Sequence, residues 1–150
     1  IVFETIELLQ SPETINTSSK ISSKKLRNKV VSEAKNHLGV PYKWGGTTKK
    51  GFDCSGYTSY VMAKNGISIP RIAKDQSKIV TKVNTKKVQP GDLIFFGNGT
   101  KVTHVGIIVS RPGENLSMIH ASSSKGIMIS NVTSSSYWKK RMLFMGSVIE

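Results

Sequence analysis

Apolar residues early in the chain recur every three or four positions, which is the spacing of one face of a helix. The pattern covers residues 23–38 and consists of Leu26, Val30, Val31, Ala34 and Leu38. Ser22 or Ser23 is a suitable N-cap for this helix, and Gly39 is a suitable terminator. The preceding residues are mixed and then polar, so we predict an arm or linker over residues 1–22 and a domain over residues 23–150.

A glycine-rich segment follows the first predicted helix and leads into a second one. Residues 42–52 are predicted to form a loop because glycine recurs in them. Asp53 is a good N-cap residue and Gly66 a good terminator, so a second helix is predicted from residue 53 to residue 65. A short third helix is predicted within residues 71–80.

The pattern changes to short apolar runs after the turn signal Gln-Pro-Gly-Asp at residues 89–92. Such runs, bounded by glycine, proline and asparagine, are typical of strands. They are predicted over residues 92–96, 104–110, 116–122, 127–131 and 141–149. Helices followed by a run of strands predict an α+β domain, in which N-terminal helices pack on a central antiparallel sheet of about five to six strands.

Length and composition predict one soluble globular domain. The chain has 150 residues, of which 37% are hydrophobic and 21% charged, a composition that does not fit a disordered chain. Its longest apolar runs, at residues 93–96 and 107–109, are far shorter than the roughly 20 residues needed to cross a bilayer. Residues 1–15 contain several glutamates and show no signal-peptide pattern.

Basic residues dominate the charge of the chain. Lys and Arg number 22 against 9 Asp and Glu, which gives a formal net charge of +13. The excess is spread along the sequence, so no segment forms a basic tail. Such a surface attracts anionic membranes, acidic wall polymers or nucleic acid, and salt weakens that attraction. The charge indicates the surroundings of the protein, and we expect no specific nucleic-acid partner.

Cys54 is the only cysteine of the chain. An internal disulfide and a thiolate-rich zinc or iron–sulfur site are therefore excluded, and we expect no cofactor. Cys54 lies in the first turn of the predicted second helix, where free backbone N–H groups and the positive helix end would lower the pKa of the thiol and hold a developing oxyanion. A lone cysteine can equally be an inert small hydrophobe.

Only three histidines are available to act as a base toward this thiol. His104 starts the apolar run of one predicted strand, where a rigidly mounted ring suits a general base, and Gly106 leaves room beside it. His120 ends the apolar run of the next strand. If these strands pair, both imidazoles reach one edge of the sheet and one can orient the other. His37 is more simply a capping or packing residue, and the residues alone leave catalytic and structural roles open for the other two.

Six blocks of sequence follow one another between residues 40 and 121. They are Val40-Pro41-Tyr42-Lys43-Trp44-Gly45-Gly46, Phe52-Asp53-Cys54-Ser55-Gly56, Ile69-Pro70-Arg71 with Gln76, Gln89-Pro90-Gly91-Asp92-Leu93-Ile94-Phe95-Phe96, His104-Val105-Gly106-Ile107 and Ile119-His120-Ala121. In order and spacing they resemble the NlpC family of papain-like cell-wall peptidases, over roughly residues 26–148. The resemblance implies a circularly permuted papain-like fold with the nucleophile on a helix packed against the sheet. It also implies cleavage of the peptide stems of bacterial peptidoglycan, commonly between γ-D-glutamate and the following diamino acid.

The resemblance further implies roles for individual residues. Cys54 matches the nucleophile, His104 the base, and His120 the polar residue that orients the base. Tyr42 matches a tyrosine whose hydroxyl faces the oxyanion or the substrate. The remaining matches are substrate-binding positions: Asp53 and Ser55, which help bind a free amine in members that cut near the stem N-terminus, and Trp44, Gly45 and Arg71 near the cleft.

By this resemblance we expect an extracytoplasmic enzyme, periplasmic, envelope-bound or secreted, that acts as a monomer on peptidoglycan stems. Its net charge predicts attraction to an anionic wall or membrane. Three alternatives stay open: a wall amidase or acyltransferase with the same Cys and His chemistry, an inactive basic module that binds peptidoglycan or nucleic acid, and a metallohydrolase. The last would use Cys54, His104, His120 and Asp53, but the sequence has no short chelating pair such as His-x-x-x-His, so we expect no metal.

Overall fold

The computed structural model of the chain describes the backbone of residues 12–149 and the side chains of residues 22–149. Its elements in chain order are α1 (Pro12–Lys35), β1 (Thr47–Thr48), β2 (Gly51–Phe52), α2 (Cys54–Lys64), α3 (Ala73–Ile79), β3 (Thr81–Val83), β4 (Leu93–Asn98), β5 (Lys101–Ile108), β6 (Ser117–Ser122), β7 (Gly126–Asn131), α4 (Ser136–Arg141) and β8 (Met142–Ser147). In this described part of the chain, no helix combines the length and the apolar character needed to span a membrane.

Six antiparallel strands form the central sheet of the described residues, in the order β3-β8-β4-β5-β6-β7. A tight hairpin joins β4 to β5, with Asn98 paired to Lys101 across the turn. Strand β6 pairs with β5 on one side of this hairpin, and β8 pairs with β4 on the other. The predicted α+β class and antiparallel sheet are therefore confirmed. The short edge strand β3 was not predicted.

Side chains along β4 alternate between two apolar layers, as expected for a strand that is buried on both faces. Leu93 and Phe95 pack in the layer that the sheet shares with α1 and α2. Ile94 and Phe96 pack in the opposite layer, against which Trp138 of α4 is placed. Full burial of one such side chain stabilises the fold by about 1.5–3 kcal/mol. The central strands are therefore a rigid support for the groups at their ends.

The first helix differs from its predicted bounds. It begins at Pro12, well before residue 23, and thus crosses the predicted boundary between arm and domain. Proline is favoured in the first turn of a helix, and residues 13–22 contain neither Gly nor Pro to stop one. The regular helix ends at Lys35, so Leu38 falls in the following turn and is 47% exposed. The expectation that the helix extends to Leu38 is therefore wrong.

The other predicted elements are found with small shifts at their ends. The second helix starts at the residue after the predicted N-cap Asp53, and the third lies inside its predicted range. The predicted loop over residues 42–52 contains the small hairpin of β1 and β2, in which Thr47 is paired with Phe52. Helix α4 was not predicted, because its six residues, Ser-Tyr-Trp-Lys-Lys-Arg, are too few to show a helical period.

A buried ion pair fixes α1 to the sheet. Arg27 Nη1 donates to Asp92 Oδ1 over 2.6 Å, just before β4 begins. Arg27 Nη2 donates to the carbonyl oxygen of Ile149 over 3.1 Å. Both charged residues are buried, so removal of one partner would leave an uncompensated charge at a cost of about 3–5 kcal/mol.

Candidate active site

Cys54 is the first residue of α2, as the sequence predicted. Asp53 caps this helix, and its Oδ1 accepts a hydrogen bond from the Gly56 N–H over 2.6 Å. The backbone N–H groups of Val105, Ser55 and Cys54 itself lie near the Cys54 sulfur and act to lower the pKa of its thiol. Because Val105 directly follows His104 on β5, the helix start brings the thiol to the strand position next to this histidine.

Close glycine contacts fix the start of α2 against the loop that precedes it. The Asp53 N–H donates to the Gly46 carbonyl oxygen over 3.0 Å. A Cβ atom on Gly56 would collide with the same carbonyl oxygen, so only glycine permits this approach. The helix end that carries Cys54 is thereby held in a single position relative to the loop.

Two imidazoles and a hydroxyl form a hydrogen-bonded series, which we call the imidazole chain (His104, His120 and Ser130). His104 Nε2 lies 2.9 Å from His120 Nδ1, and His120 Nε2 lies 2.8 Å from Ser130 Oγ. Strands β5, β6 and β7 supply one member each, so their pairing sets the spacing. The expectation that paired strands would bring both histidines together is met. The remaining ring nitrogen of His104, Nδ1, is outside this series.

Packing holds the two imidazole rings of the chain in place. Trp138 stacks on His104 with ring centroids 5.1 Å apart and an interplanar angle of 24°. It meets His120 edge-on at the same centroid distance. A Cβ atom on Gly106 would lie 3.2 Å from the Cβ of His120 and still closer to Met118 Sδ. Gly106 therefore makes room for His120, rather than for His104 as the sequence analysis expected.

Burial sets the protonation of the thiol and of both histidines. It lowers the pKa of His104 to about 4 and, together with the nearby His104, that of His120 to about 3. Burial also raises the pKa of Cys54 above its ordinary value, an effect that the surrounding N–H groups oppose. Thiol and imidazoles are therefore neutral in the free site. The expectation that the helix end lowers the pKa of Cys54 is wrong for this state, because desolvation outweighs the backbone donors.

A second group of polar side chains, which we call the charged cluster, consists of Asp53, Ser55 and Arg71. Arg71 Nη2 donates to Asp53 Oδ2 over 2.8 Å, and Arg71 Nη1 donates to both Asp53 Oδ1 and Ser55 Oγ, over 3.1 and 3.0 Å. The three predicted substrate-binding positions are thus in direct contact. A carboxylate offers about four acceptor positions. Gly56 and Arg71 occupy three of them, which leaves one at Asp53 Oδ2.

A buried amide supports the charged cluster from below. Gln76 Nε2 donates to the carbonyl oxygens of Ser55 and Pro70, over 3.1 and 2.8 Å. Gln76 Oε1 accepts from the Thr58 hydroxyl over 2.8 Å. Since Pro70 precedes Arg71, these bonds fix the backbone from which the guanidinium extends.

Tyr42 lies close to both Cys54 and the charged cluster. Burial, and then the negative charges that Cys54 and Asp53 can carry, raise the pKa of the Tyr42 hydroxyl, while Arg71 lowers it. The net increase keeps this hydroxyl protonated and able to donate a hydrogen bond. The other two predicted positions lie further out in the same loop: Trp44 is 88% exposed, and Gly45 is exposed with a φ of +71° that glycine favours.

The candidate metal ligands of the sequence analysis do not form a metal centre. Among the described residues, no three His, Cys, Asp or Glu side chains are grouped so that they could hold a metal ion. Asp53 is bound to Arg71, and His120 uses its second ring nitrogen on Ser130. The arrangement around Cys54 instead combines a thiol, an oriented imidazole and backbone N–H donors, which is suited to acyl transfer.

Comparison with known proteins gives the family of this chain. The sequence matches the NlpC/P60 family over residues 39–147. This chain belongs to the NlpC/P60 family. A similar solved structure, that of a lipoprotein-like NLP/P60 family protein from Staphylococcus aureus, has a TM-score of 0.73 and 35% identity. The likeness covers 84% of this chain and 42% of that chain. The NlpC/P60 assignment confirms the predicted family and the α+β papain-like fold.

Two similar relatives of this NlpC/P60 domain carry names that describe hydrolases. One is the probable endopeptidase p60 of Listeria monocytogenes, which is 42% identical over 119 residues. The other is the gamma-DL-glutamyl hydrolase of Bacillus subtilis, which is 46% identical over 114 residues. The matches cover 79% and 73% of this chain but 23% and 27% of these two proteins. The chain therefore spans about a quarter of their length.

The NlpC/P60 domain has a cavity of about 930 Å³ beside His104, which we call the α4 groove. Its floor is the β4–β5 hairpin, one wall is α4, and the other wall includes Tyr42 and the turn after β6. Its lining comprises Tyr42, Phe96, Gly97, Asn98, Gly99, Thr103, His104, Ala121, Ser122, Ser123, Ser124, Tyr137, Trp138, Lys140, Arg141 and Leu143. Members of the charged cluster are not part of this lining.

Sequence reasoning missed several residues that shape the site. Ser130 binds His120, Trp138 stacks on His104, and Lys140 and Arg141 line the α4 groove. For Ser130 the sequence predicts only that it lies in a strand. Trp138, Lys140 and Arg141 belong to α4, the helix that was not predicted. The spacing of β6 and β7 around Gly126 would have placed Ser130 opposite the His120 region, since Met128 is the direct partner of His120.

Proposed function

We propose that this domain is a cysteine peptidase that hydrolyses the peptide stems of bacterial peptidoglycan, at the bond between γ-D-glutamate and the following diamino acid. Cys54 is the nucleophile, His104 the base and His120 the residue that orients the base. The carrying observation is that Cys54, at the start of α2, lies near the backbone N–H of Val105, the residue after His104. His104 Nε2 is in turn hydrogen-bonded to His120 Nδ1. The names of an endopeptidase and a γ-glutamyl hydrolase among the relatives support the bond type.

In the first step His104 takes the proton of Cys54 through Nδ1. Nε2 is engaged with His120 Nδ1, so Nδ1 is the nitrogen left to accept the proton. This requires that the neutral His104 carries its hydrogen on Nε2 and donates it to His120. His120 then carries its hydrogen on Nε2 and donates it to Ser130 Oγ. Since both groups are neutral at rest, proton transfer accompanies the attack of sulfur on the scissile carbonyl.

The developing oxyanion is held by the Cys54 N–H and the Tyr42 hydroxyl. Donors that are positioned before the reaction stabilise the transition state without reorganisation. The raised pKa of Tyr42 supports this role, because the hydroxyl keeps its proton beside the negative charge. His104 next protonates the leaving amine, and water activated by the same imidazole hydrolyses the thioester.

The charged cluster binds the acyl half of the substrate on the Cys54 side. Its one free acceptor position, at Asp53 Oδ2, suits a substrate amine, such as that of a stem N-terminus. Ser55 is hydrogen-bonded to Arg71 and contributes its remaining hydroxyl capacity. Trp44 and Gly45 form the outer edge of this side.

The direct test is the replacement of Cys54. Cys54→Ala should abolish release of the diamino acid from an L-Ala-γ-D-Glu-diamino acid peptide, measured by chromatography, while circular dichroism shows an unchanged fold. His104→Gln should lower kcat by about 10²–10⁴-fold, as expected for the loss of a general base. His37→Gln is the matched control, because His37 is also buried but is bound to Glu33 in α1. Hydrolysis retained in Cys54→Ala would overturn the proposal.

Product analysis separates this proposal from its rivals. A peptidase leaves stems cut after γ-D-glutamate, an amidase releases whole stems from glycan, and an acyltransferase joins the acyl group to an added amine. Masses of the products from digested sacculi distinguish these outcomes. An inactive binding module would show none of these products.

We also propose an extracytoplasmic location, at the bacterial envelope, for a monomeric enzyme. The formal charge of +13 supports attraction to anionic wall polymers or membranes. Co-sedimentation with purified walls that disappears as salt increases would support this attraction, and salt-independent sedimentation would contradict it.

A further inference from the structure

If the proposed function holds, the two sides of the site bind different halves of the substrate. His104 must protonate the leaving amine, so the leaving half of the substrate has to lie against His104. The α4 groove is lined by His104 and Tyr42, whereas the charged cluster contacts the start of α2 next to Cys54. The acyl half therefore belongs to the charged cluster, and the leaving half belongs to the α4 groove.

The α4 groove carries positive charge without a compensating acid. Lys140 and Arg141 contribute to its lining, and none of the lining residues is Asp or Glu. The ion pairs found among the described residues link other groups, and neither Lys140 nor Arg141 takes part in them. An anionic group in the groove would therefore find cations that no carboxylate of the described chain already neutralises.

Arg141 is held in position before any ligand binds. Its Nη1 donates to the carbonyl oxygen of Tyr137 over 3.0 Å, and its guanidinium carbon lies 3.7 Å from the centre of the Tyr137 ring. Both contacts restrict the side chain, so less conformational freedom is lost on binding. The planar guanidinium keeps other N–H donors, in a geometry that matches a carboxylate.

We infer that the α4 groove binds the leaving half of the substrate, and that Lys140 and Arg141 recognise a free carboxylate on the leaving amino acid. The enzyme should therefore prefer a leaving group that ends in a carboxylate over one that ends in a carboxamide of the same shape. Anionic recognition here is separate from the chemistry at Cys54, because neither Lys140 nor Arg141 is among the groups that shift the pKa of the thiol.

Two peptides test this inference: L-Ala-γ-D-Glu-L-Lys with a free C-terminal carboxylate, and the same peptide with a C-terminal carboxamide. The wild type should cleave the carboxylate peptide with a kcat/KM about tenfold higher, mainly through KM, as expected for a charge-assisted hydrogen bond. The double variant Lys140→Gln/Arg141→Gln should lose this preference, so that the ratio of kcat/KM for the two peptides falls to about one.

Lys139→Gln is the matched control, since it removes one charge from the same helix at a position outside the groove lining. It should keep the carboxylate preference. Equal kcat/KM for both peptides in the wild type, or an unchanged preference in the double variant, would overturn the inference while leaving the peptidase intact. If the wild type cleaves neither this pair nor a diaminopimelate pair, the proposed function fails instead.

Discussion

The imidazole chain and the charged cluster lie on two sides of Cys54 and differ in their access to water. His120 is 1% exposed, and its chain joins neutral groups by hydrogen bonds. In the charged cluster the Arg71 side chain is 40% exposed, and its bonds to Asp53 form an ion pair. One side of the site is therefore dry and uncharged, and the other is wet and charged.

The difference shows that burial and exposure to water suit the two sides of one site to different tasks. Desolvation penalises charged forms, so a buried histidine stays neutral and can accept a proton only when the reaction supplies compensating charge. An ion pair at the edge contributes little stability, because water screens it. It keeps its charges available to a ligand instead. In the proposed mechanism, proton transfer therefore takes place in the interior and recognition of charge at the rim.

The largest expected effect is a loss of stability at acid pH, caused by the buried histidines of the dry side. The pKa of His104 is about 4 in the fold and that of a free histidine about 6.5. Between these values the unfolded chain binds the proton and the folded chain does not, so the free energy of unfolding falls as the pH falls. His104 alone should account for a loss of about 3 kcal/mol between neutral pH and about pH 4.

Urea unfolding at several pH values measures this loss. The wild type should lose stability more steeply on acidification than His104→Gln, which has no titrating ring at that position. His120→Gln should likewise flatten the curve, since the pKa of His120 is lowered to about 3. Parallel curves for the wild type and both variants would show that the two rings are not kept neutral by burial.

Replacement of Arg71 perturbs the wet side alone. In Arg71→Gln the Asp53 carboxylate keeps its bond to the Gly56 N–H and loses the two from Arg71, one to Oδ1 and one to Oδ2. KM for a peptide with a free N-terminus should rise by about tenfold, and the free energy of unfolding should fall by at most about 1 kcal/mol. Steady-state kinetics and urea unfolding provide the two numbers.

Lys74→Gln is the control for this change, because it removes an exposed cation of α3 that is not part of the cluster. It should leave KM unchanged. The view of the rim as a recognition site would be wrong if both variants shifted KM equally, or if Arg71→Gln destabilised the protein as strongly as loss of a buried ion pair.

Sequence patterns predicted the parts of the site that depend on regular elements. Asp53 was recognised as a cap, which placed Cys54 at a helix start, and the apolar runs around His104 and His120 predicted the strands that pair them. These predictions succeed because caps and buried strands leave a local signal. The family resemblance then supplied Tyr42 and the members of the charged cluster.

Other features depend on contacts between distant segments, for which a single sequence gives no local signal. The contact of Trp138 with His104 needs a six-residue helix that is too short for a period. The direction of the Cys54 pKa shift depends on how deeply the thiol is buried, which outweighs the helix end that the sequence does reveal. In the sequence, nothing distinguishes Arg27 from the other basic residues, and its ion pair with Asp92 is seen only in the fold.

The smallest expected effect concerns the far end of the imidazole chain. Ser130 Oγ lies 2.8 Å from His120 Nε2 and thereby favours the tautomer of His120 that accepts from His104. Ser130→Ala removes one hydrogen bond worth about 1 kcal/mol, so kcat should fall about fivefold with KM unchanged. Ser130→Thr keeps the hydroxyl and should restore kcat. Nitrogen NMR of the His120 ring should show the hydrogen on Nε2 in the wild type and a mixture in Ser130→Ala. A single unchanged tautomer in Ser130→Ala would mean that His104 and the sheet orient His120 without Ser130, and the dry side would then end at His120.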